Sequence, residues 1–112
     1  MDCVFCQISR GELPAAKLYE DDQVLAFSDL RPVAPTHILI IPRRHVESLA
    51  HATSDDWPAV IKALQVAQQL AQEGDLQNGY RIVANVGENG GQTVGHLHWH
   101  LIGGRAMAWP PG

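Results

Sequence analysis

Apolar and polar positions along the chain follow two periods, and together they predict a small set of elements. Lys17-Leu18-Tyr19 reads as a short strand and residues 23–28 as its return, with the acidic turn Glu20-Asp21-Asp22 at the hairpin tip. Residues 36–41, Thr-His-Ile-Leu-Ile-Ile, are strongly β-forming, and Pro42 ends the run. The intervening residues 29–35 hold two prolines and read as a loop. The period then becomes helical: Val60, Ile61, Leu64, Ala67, Leu70 and Ala71 fall on one helix face. Thr53-Ser54-Asp55-Asp56 marks the start of that helix, with Ser54 as the candidate cap, the two Asp at the positive end of the dipole and Pro58 tolerated in the first turn. Gly74 marks its end. After an Asn78-Gly79 turn, residues 80–86 alternate as a strand, residues 87–91 (GENGG) form a loop, and residues 96–102 return as another strand. The expected architecture is α+β, an antiparallel sheet with one long helix on one face. No internal repeat or linker divides the chain, so residues 1–112 read as one domain, with residues 1–8 packing down and a tail over 105–112.

Composition narrows the function classes. At 46% hydrophobic and 18% charged, 112 residues can bury a core without disulfides. A formal charge of −4 argues against a nucleic-acid partner, which calls for a basic face. No apolar run approaches the roughly 18 residues of a membrane span, and Met1-Asp2-Cys3 lacks the basic start and apolar core of a signal peptide. The expectation is a soluble, cytoplasmic protein with no membrane partner.

Six histidines stand out, and three of them alternate: His96, His98 and His100. A strand has a side-chain period of two, so these three project from one face, about 6–7 Å apart, while Leu97, Trp99 and Leu101 face the helix. Unpaired imidazoles are costly to bury, so a bland core face does not explain them. A metal site is one reading, although no Asp or Glu lies within seven residues of the run. The other is nucleophilic catalysis at phosphorus: one neutral imidazole attacks while its neighbours bind phosphoryl oxygens and move protons. The loop Asn89-Gly90-Gly91-Gln92-Thr93 just before the run favours the second reading, because its backbone, amide and hydroxyl donors can cradle a phosphate.

Residues 91–105, Gly-Gln-Thr-Val-Gly-His-Leu-His-Trp-His-Leu-Ile-Gly-Gly-Arg, resemble the signature of the histidine-triad (HIT) superfamily in its Hint branch, the histidine-triad nucleotide-binding proteins. The likeness extends over almost the whole chain: Phe5-Cys6-Gln7-Ile8, Tyr19-Glu20-Asp21-Asp22, Ala26-Phe27-Ser28-Asp29, Ala34-Pro35-Thr36-His37 and the closing Trp109-Pro110-Pro111-Gly112 all match. The resemblance implies a meandering antiparallel sheet of about five strands, extended across a two-fold homodimer. It also implies a purine nucleoside phosphoramidase, which cleaves the P–N bond of AMP- or GMP-type conjugates through a nucleotidyl-histidine intermediate. By that matching His98 is the nucleophile, and His100, His37 and His96 complete the catalytic face. Phe5, Ile8, Phe27 and Leu30 line the base pocket, and Asp29 holds the ribose hydroxyls. Asn85, Gly91 and Thr93 serve the phosphate, and Trp109 reaches the leaving-group side of the partner subunit. No cofactor is needed for the chemistry. Gly95, Thr93 and Trp99 depart from common family residues: Gly95 opens the leaving-group side, Thr93 keeps a hydroxyl, and Trp99 is bulkier than usual.

Cys3 and Cys6 form a CxxC pair, which read alone is two reduced thiols without a role. The resemblance adds His45 and His96 as further ligands, giving a closed Cys2His2 set suited to structural zinc. His51 reads as a surface residue. Two rival functions stay open: a nucleotide-binding or regulatory interaction protein with incidental hydrolysis, and the dinucleoside polyphosphate hydrolases of the same superfamily.

Overall fold

The computed structural model describes residues 3–112, so Met1 and Asp2 of the expected packed-down N-terminus lie outside the described residues. The elements run α1 (Val4–Ser9), β1 (Lys17–Glu20), β2 (Val24–Ser28), β3 (Thr36–Pro42), a 3-10 turn (Leu49–His51), α2 (Trp57–Glu73), β4 (Tyr80–Val83) and β5 (Trp99–Gly103). The five strands make one antiparallel sheet in the order β1-β2-β3-β5-β4. The α+β architecture expected from the alternation is therefore present. Among the described residues no helix is long and apolar enough to cross a membrane.

The central strands β2 and β3 are buried on both faces, which is why they read as continuous apolar runs. On one face Val24, Ala26, Ile38 and Ile40 pack with Leu97, Trp99 and Leu101 against α2. On the other, Leu25, Phe27, Leu39 and Ile41 pack against Phe5 and Ile8 of α1. A helix of 17 residues covers the first face; one of six residues covers only part of the second. The β3–β5 region of the second face is thus left for the histidines.

Several expected boundaries are corrected. The helix buries Val60, Ala63, Val66, Ala67, Leu70 and Ala71, whereas Ile61 and Leu64 are 58% and 43% exposed. The small residues Ala63, Ala67 and Ala71 let α2 settle close to the sheet, and the larger side chains turn outward. Ser54 does not cap it: Asp56 occupies the cap position, and its carboxylate instead accepts bonds from the Thr53 backbone and hydroxyl. β4 stops at Val83, because its one partner, β5, pairs with it only from His100 onward. β5 starts at Trp99 rather than His96. Upstream, the Leu97 N–H bonds the Val46 carbonyl at 2.7 Å and draws residues 96–98 off the ladder. α1 was not foreseen as a helix.

Candidate active site

Alternation survives where the ladder does not. Leu97, Trp99 and Leu101 enter the helix-side core, so the bulk of Trp99 lies on the far side of the sheet from the histidines. His98 and His100 turn to the opposite face with ring centroids 5.0 Å apart. Register sets the next neighbour: His100 sits opposite Leu39 of β3, and His37 lies two residues before Leu39 on the same face.

Hydrogen-bond partners fix the tautomers. The Val33 N–H donates to His37 Nδ1 at 3.1 Å, which leaves the proton of a neutral His37 on Nε2. That Nε2–H donates to His100 Nδ1 at 2.8 Å, so a neutral His100 carries its own proton on Nε2. Asp29 Oδ2 lies 3.5 Å from His37 Nε2, and its Oδ1 accepts the Arg31 N–H at 2.7 Å. Burial pushes His100 down to about 4, helped by the neighbouring His98 and His37 and opposed by Asp29, so it is neutral near pH 7. His98 donates Nδ1–H to the His96 carbonyl at 2.7 Å, so in the neutral ring the lone pair is on Nε2. The edge of Phe5 packs on the His98 ring with centroids 5.2 Å apart.

Beside these rings is a largely apolar cavity of about 270 Å³, lined among others by Phe5, Ile8, Phe27, Leu30 and Asp29. All five residues expected at the base and ribose subsites therefore meet in one place. Leu30, 95% exposed, forms its outer lip. Leu39 and Val94 are among the further lining residues that the sequence reading did not include. The period of two in residues 36–41 could have placed Leu39 beside His37.

The remaining expected residues lie outside this cavity. Asn85 lines a second cavity of about 410 Å³ with Arg81, Arg105 and the tail. Gly91 and Thr93 line a third, open cleft of about 390 Å³ with Glu47 and Gly95. Two of the expected cradle donors are engaged within the loop in this structure. The Gly91 N–H donates to Glu88 O, and the Gln92 amide bonds Gly87, Glu47 and Val94, so neither is available to an incoming phosphate. The loop uses its own donors to hold its shape, and the Thr93 hydroxyl stays exposed. A Cβ on Gly95 would meet only Glu47, at 3.9 Å, so the cleft is open at that point. His51 is exposed and bonded to Ser48. Arg81 holds the tail at the Ala108 carbonyl, 2.8 Å, and Trp109 beyond it is 83% exposed.

His96 leaves the other histidines for the cysteines. Its Nε2–H donates to the Pro42 carbonyl at 2.8 Å, and Nδ1 lies 3.3 Å from Cys3 Sγ and 3.6 Å from Cys6 Sγ. His45 Nδ1 lies 3.3 Å from Cys6 Sγ. The four ligand atoms fall within 4.8 Å of one another. Two sulfurs and two nitrogens at that spacing fit a tetrahedral ion with bonds of about 2.0–2.3 Å, and the Pro42 bond supplies the outer partner such a histidine ordinarily has. Burial also pushes His96 down to about 4, which keeps Nδ1 free of a proton.

Comparison with known proteins follows this geometry. The HIT domain family profile matches residues 10–107. An uncharacterized HIT-like protein of Synechococcus elongatus is 48% identical over 111 residues, 99% of this chain and 97% of that one. A crystal structure of a HIT family hydrolase from Legionella pneumophila superposes with a TM-score of 0.96 at 49% identity, covering 99% of this chain and 100% of that one. A histidine triad nucleotide-binding protein from Candida albicans superposes at 0.83 with 32% identity, covering 97% and 83%.

The two depressed histidines set an acid sensitivity. Between their ordinary value of 6.5 and about 4, the unfolded chain takes up protons that the folded chain refuses. Stability therefore falls as pH drops through that window, by up to about 2 kcal/mol at pH 5 for His96 and by less for the partly exposed His100. Urea midpoints of chelator-treated protein at pH 7 and pH 5 measure it; the midpoint should be lower at pH 5, and an equal or higher one contradicts the assignment.

Proposed function

The chain belongs to the HIT domain family, and from that premise we propose that it is a purine nucleoside phosphoramidase, a hydrolase that cleaves the P–N bond of nucleoside 5′-monophosphates joined to an amine. The observation that carries this reading is the tautomer of His98: the bond to the His96 carbonyl occupies Nδ1 and leaves Nε2 nucleophilic. A hydrolase and a nucleotide-binding protein among the structural neighbours support it.

In the first step His98 Nε2 attacks the α-phosphorus and the P–N bond breaks. The departing amine needs a proton, and the Nε2–H of His100 supplies it, the proton being replaced from solvent so that no ring is left as an anion. The bond from His37 Nε2–H to His100 Nδ1, at 2.8 Å, keeps the His100 proton on Nε2, where the leaving nitrogen can take it. Asp29 beside His37 Nε2 helps hold that ring in place. In the second step water attacks the nucleotidyl-His98, the bond from phosphorus to His98 breaks, the proton of the attacking water passes to solvent, and the nucleoside monophosphate departs. The apolar pocket of Phe5, Ile8, Phe27 and Leu30 takes the purine, and Asp29 takes the ribose hydroxyls. Asn85 and the Thr93 hydroxyl bind phosphoryl oxygens; Gly91 serves through its place in the loop rather than its N–H. Cys3, Cys6, His45 and His96 would hold a structural zinc, which would stabilise the fold; a set of four protein ligands would leave the substrate no place on it.

We read the enzyme as a cytoplasmic homodimer. Trp57, Ile61 and Leu64 make an exposed apolar stripe on α2, and β4 is a sheet edge with Tyr80 and Ile82 exposed. A two-fold contact covers both. Trp109, which its own subunit leaves exposed, reaches the leaving-group side of the partner.

His98→Ala should abolish hydrolysis of adenosine 5′-phosphoramidate, a loss of several orders of magnitude in kcat, while AMP binding measured by calorimetry survives. Near-normal turnover by the variant would sink the mechanism. Removing residues 106–112 should lower kcat/KM several-fold for bulky amine leaving groups and little for ammonia. An equal loss for both contradicts the role of the tail, and a monomer in sedimentation at micromolar concentration contradicts the dimer.

A further inference from the structure

Phe5 stands between the two cysteines in sequence and between the metal cluster and the nucleophile in space. Cys3 is the N-cap residue of α1 and Cys6 lies in its first half, so both thiols leave the short helix toward His96. From the same helix Phe5 and Ile8 line the nucleotide cavity. The Phe5 ring meets Phe27 at 5.6 Å, His96 at 5.8 Å and His98 at 5.2 Å between centroids, each edge to face. His96 is doubly involved: its ring faces the thiols, and its carbonyl accepts the Nδ1–H of His98.

Six residues are too few to hold a helix by themselves. The C-terminal end of α1 is tied by Arg43 Nη1, which donates to the Ser9 carbonyl at 2.8 Å. The N-terminal end is tied through the sulfurs. We propose that Cys3, Cys6 and His45 are positioning residues for the reaction. Metal held by them and His96 fixes the Phe5 wall of the nucleotide cavity and, through the His96 carbonyl, the tautomer of His98. This goes beyond a metal that only stabilises the fold. It rests on the nucleotide-binding reading above.

The consequence is an affinity that depends on the metal. Without the ion, the N-terminal end of α1 loses the bridge that ties both thiols to His45 and His96, and both the pocket wall and His98 lose their fixed orientation. The core between α2 and the sheet contains none of the cluster's residues, so that side of the strands keeps its packing without the ion.

The test compares zinc-loaded full-length protein, the same protein after chelation, and the Cys3→Ser/Cys6→Ser and His45→Ala variants. Zinc content is read by elemental analysis, AMP affinity by calorimetry, and helix protection by amide hydrogen exchange. The expected result is AMP binding about tenfold weaker on metal loss, with rapid exchange in α1 and unchanged protection in β2, β3 and α2. The ring-nitrogen NMR signals of His98 should shift from one tautomer to a mixture, and zinc added back to chelated protein should restore all three readouts. AMP affinity unchanged within twofold despite proven zinc loss overturns the proposal and leaves the phosphoramidase reading standing. Loss of protection throughout the sheet on chelation overturns it too, since the metal would then be a general staple. Zinc-loaded protein that binds no AMP overturns the nucleotide reading itself, and this inference with it.

Discussion

His96 has no exposed surface and is held from three directions. Its Nε2 is bonded to the end of β3 at Pro42, its Nδ1 faces two thiols from the N-terminal helix, and its carbonyl holds the next histidine but one. A buried imidazole with these partners can adopt one tautomer and essentially one orientation. The orientation of His98 and the junction between α1 and the sheet follow from that constraint. A residue placed by its sequence neighbours on a catalytic face acts here as the keystone behind it.

The second constraint is the unequal covering of the sheet. One long helix closes the face that bears Val24, Ala26, Ile38, Ile40, Trp99 and Leu101. The opposite face has only α1, and it is there that His37, His98 and His100 gather. His100, part-buried there, stays neutral near pH 7, while His37 and His98 are held in place by their hydrogen bonds. The same rings fully solvated would lose their fixed bonds, and fully buried they would meet no substrate.

Much of this was legible in the residues. The alternation from His96 to Ile102 separated the imidazoles from Leu97, Trp99 and Leu101, and it held even though β5 begins only at Trp99. The five base and ribose residues, matched by family resemblance, do share one cavity. Other features carried no readable signal. α1 is too short to show a period. On α2, apolarity ranks Ile61 and Leu64 above Ala63, yet closeness of approach favours the alanine. The tautomers depend on the backbone groups of Val33, His96 and Pro42, whose roles no side-chain pattern encodes. Gly91, matched to a phosphate donor by the family resemblance, has its N–H bonded to the Glu88 carbonyl, a backbone contact that no side-chain pattern encodes.

If His98 is a covalent nucleophile, hydrolysis proceeds by two successive in-line displacements at phosphorus. The stereochemical course decides this directly. A phosphorothioate analogue of the nucleoside phosphoramidate, chiral at phosphorus, is hydrolysed in isotopically labelled water and the configuration of the product is determined. The account predicts overall retention, because two inversions cancel. Overall inversion would mean that water attacks in a single step, and it would contradict the nucleotidyl-His98 intermediate.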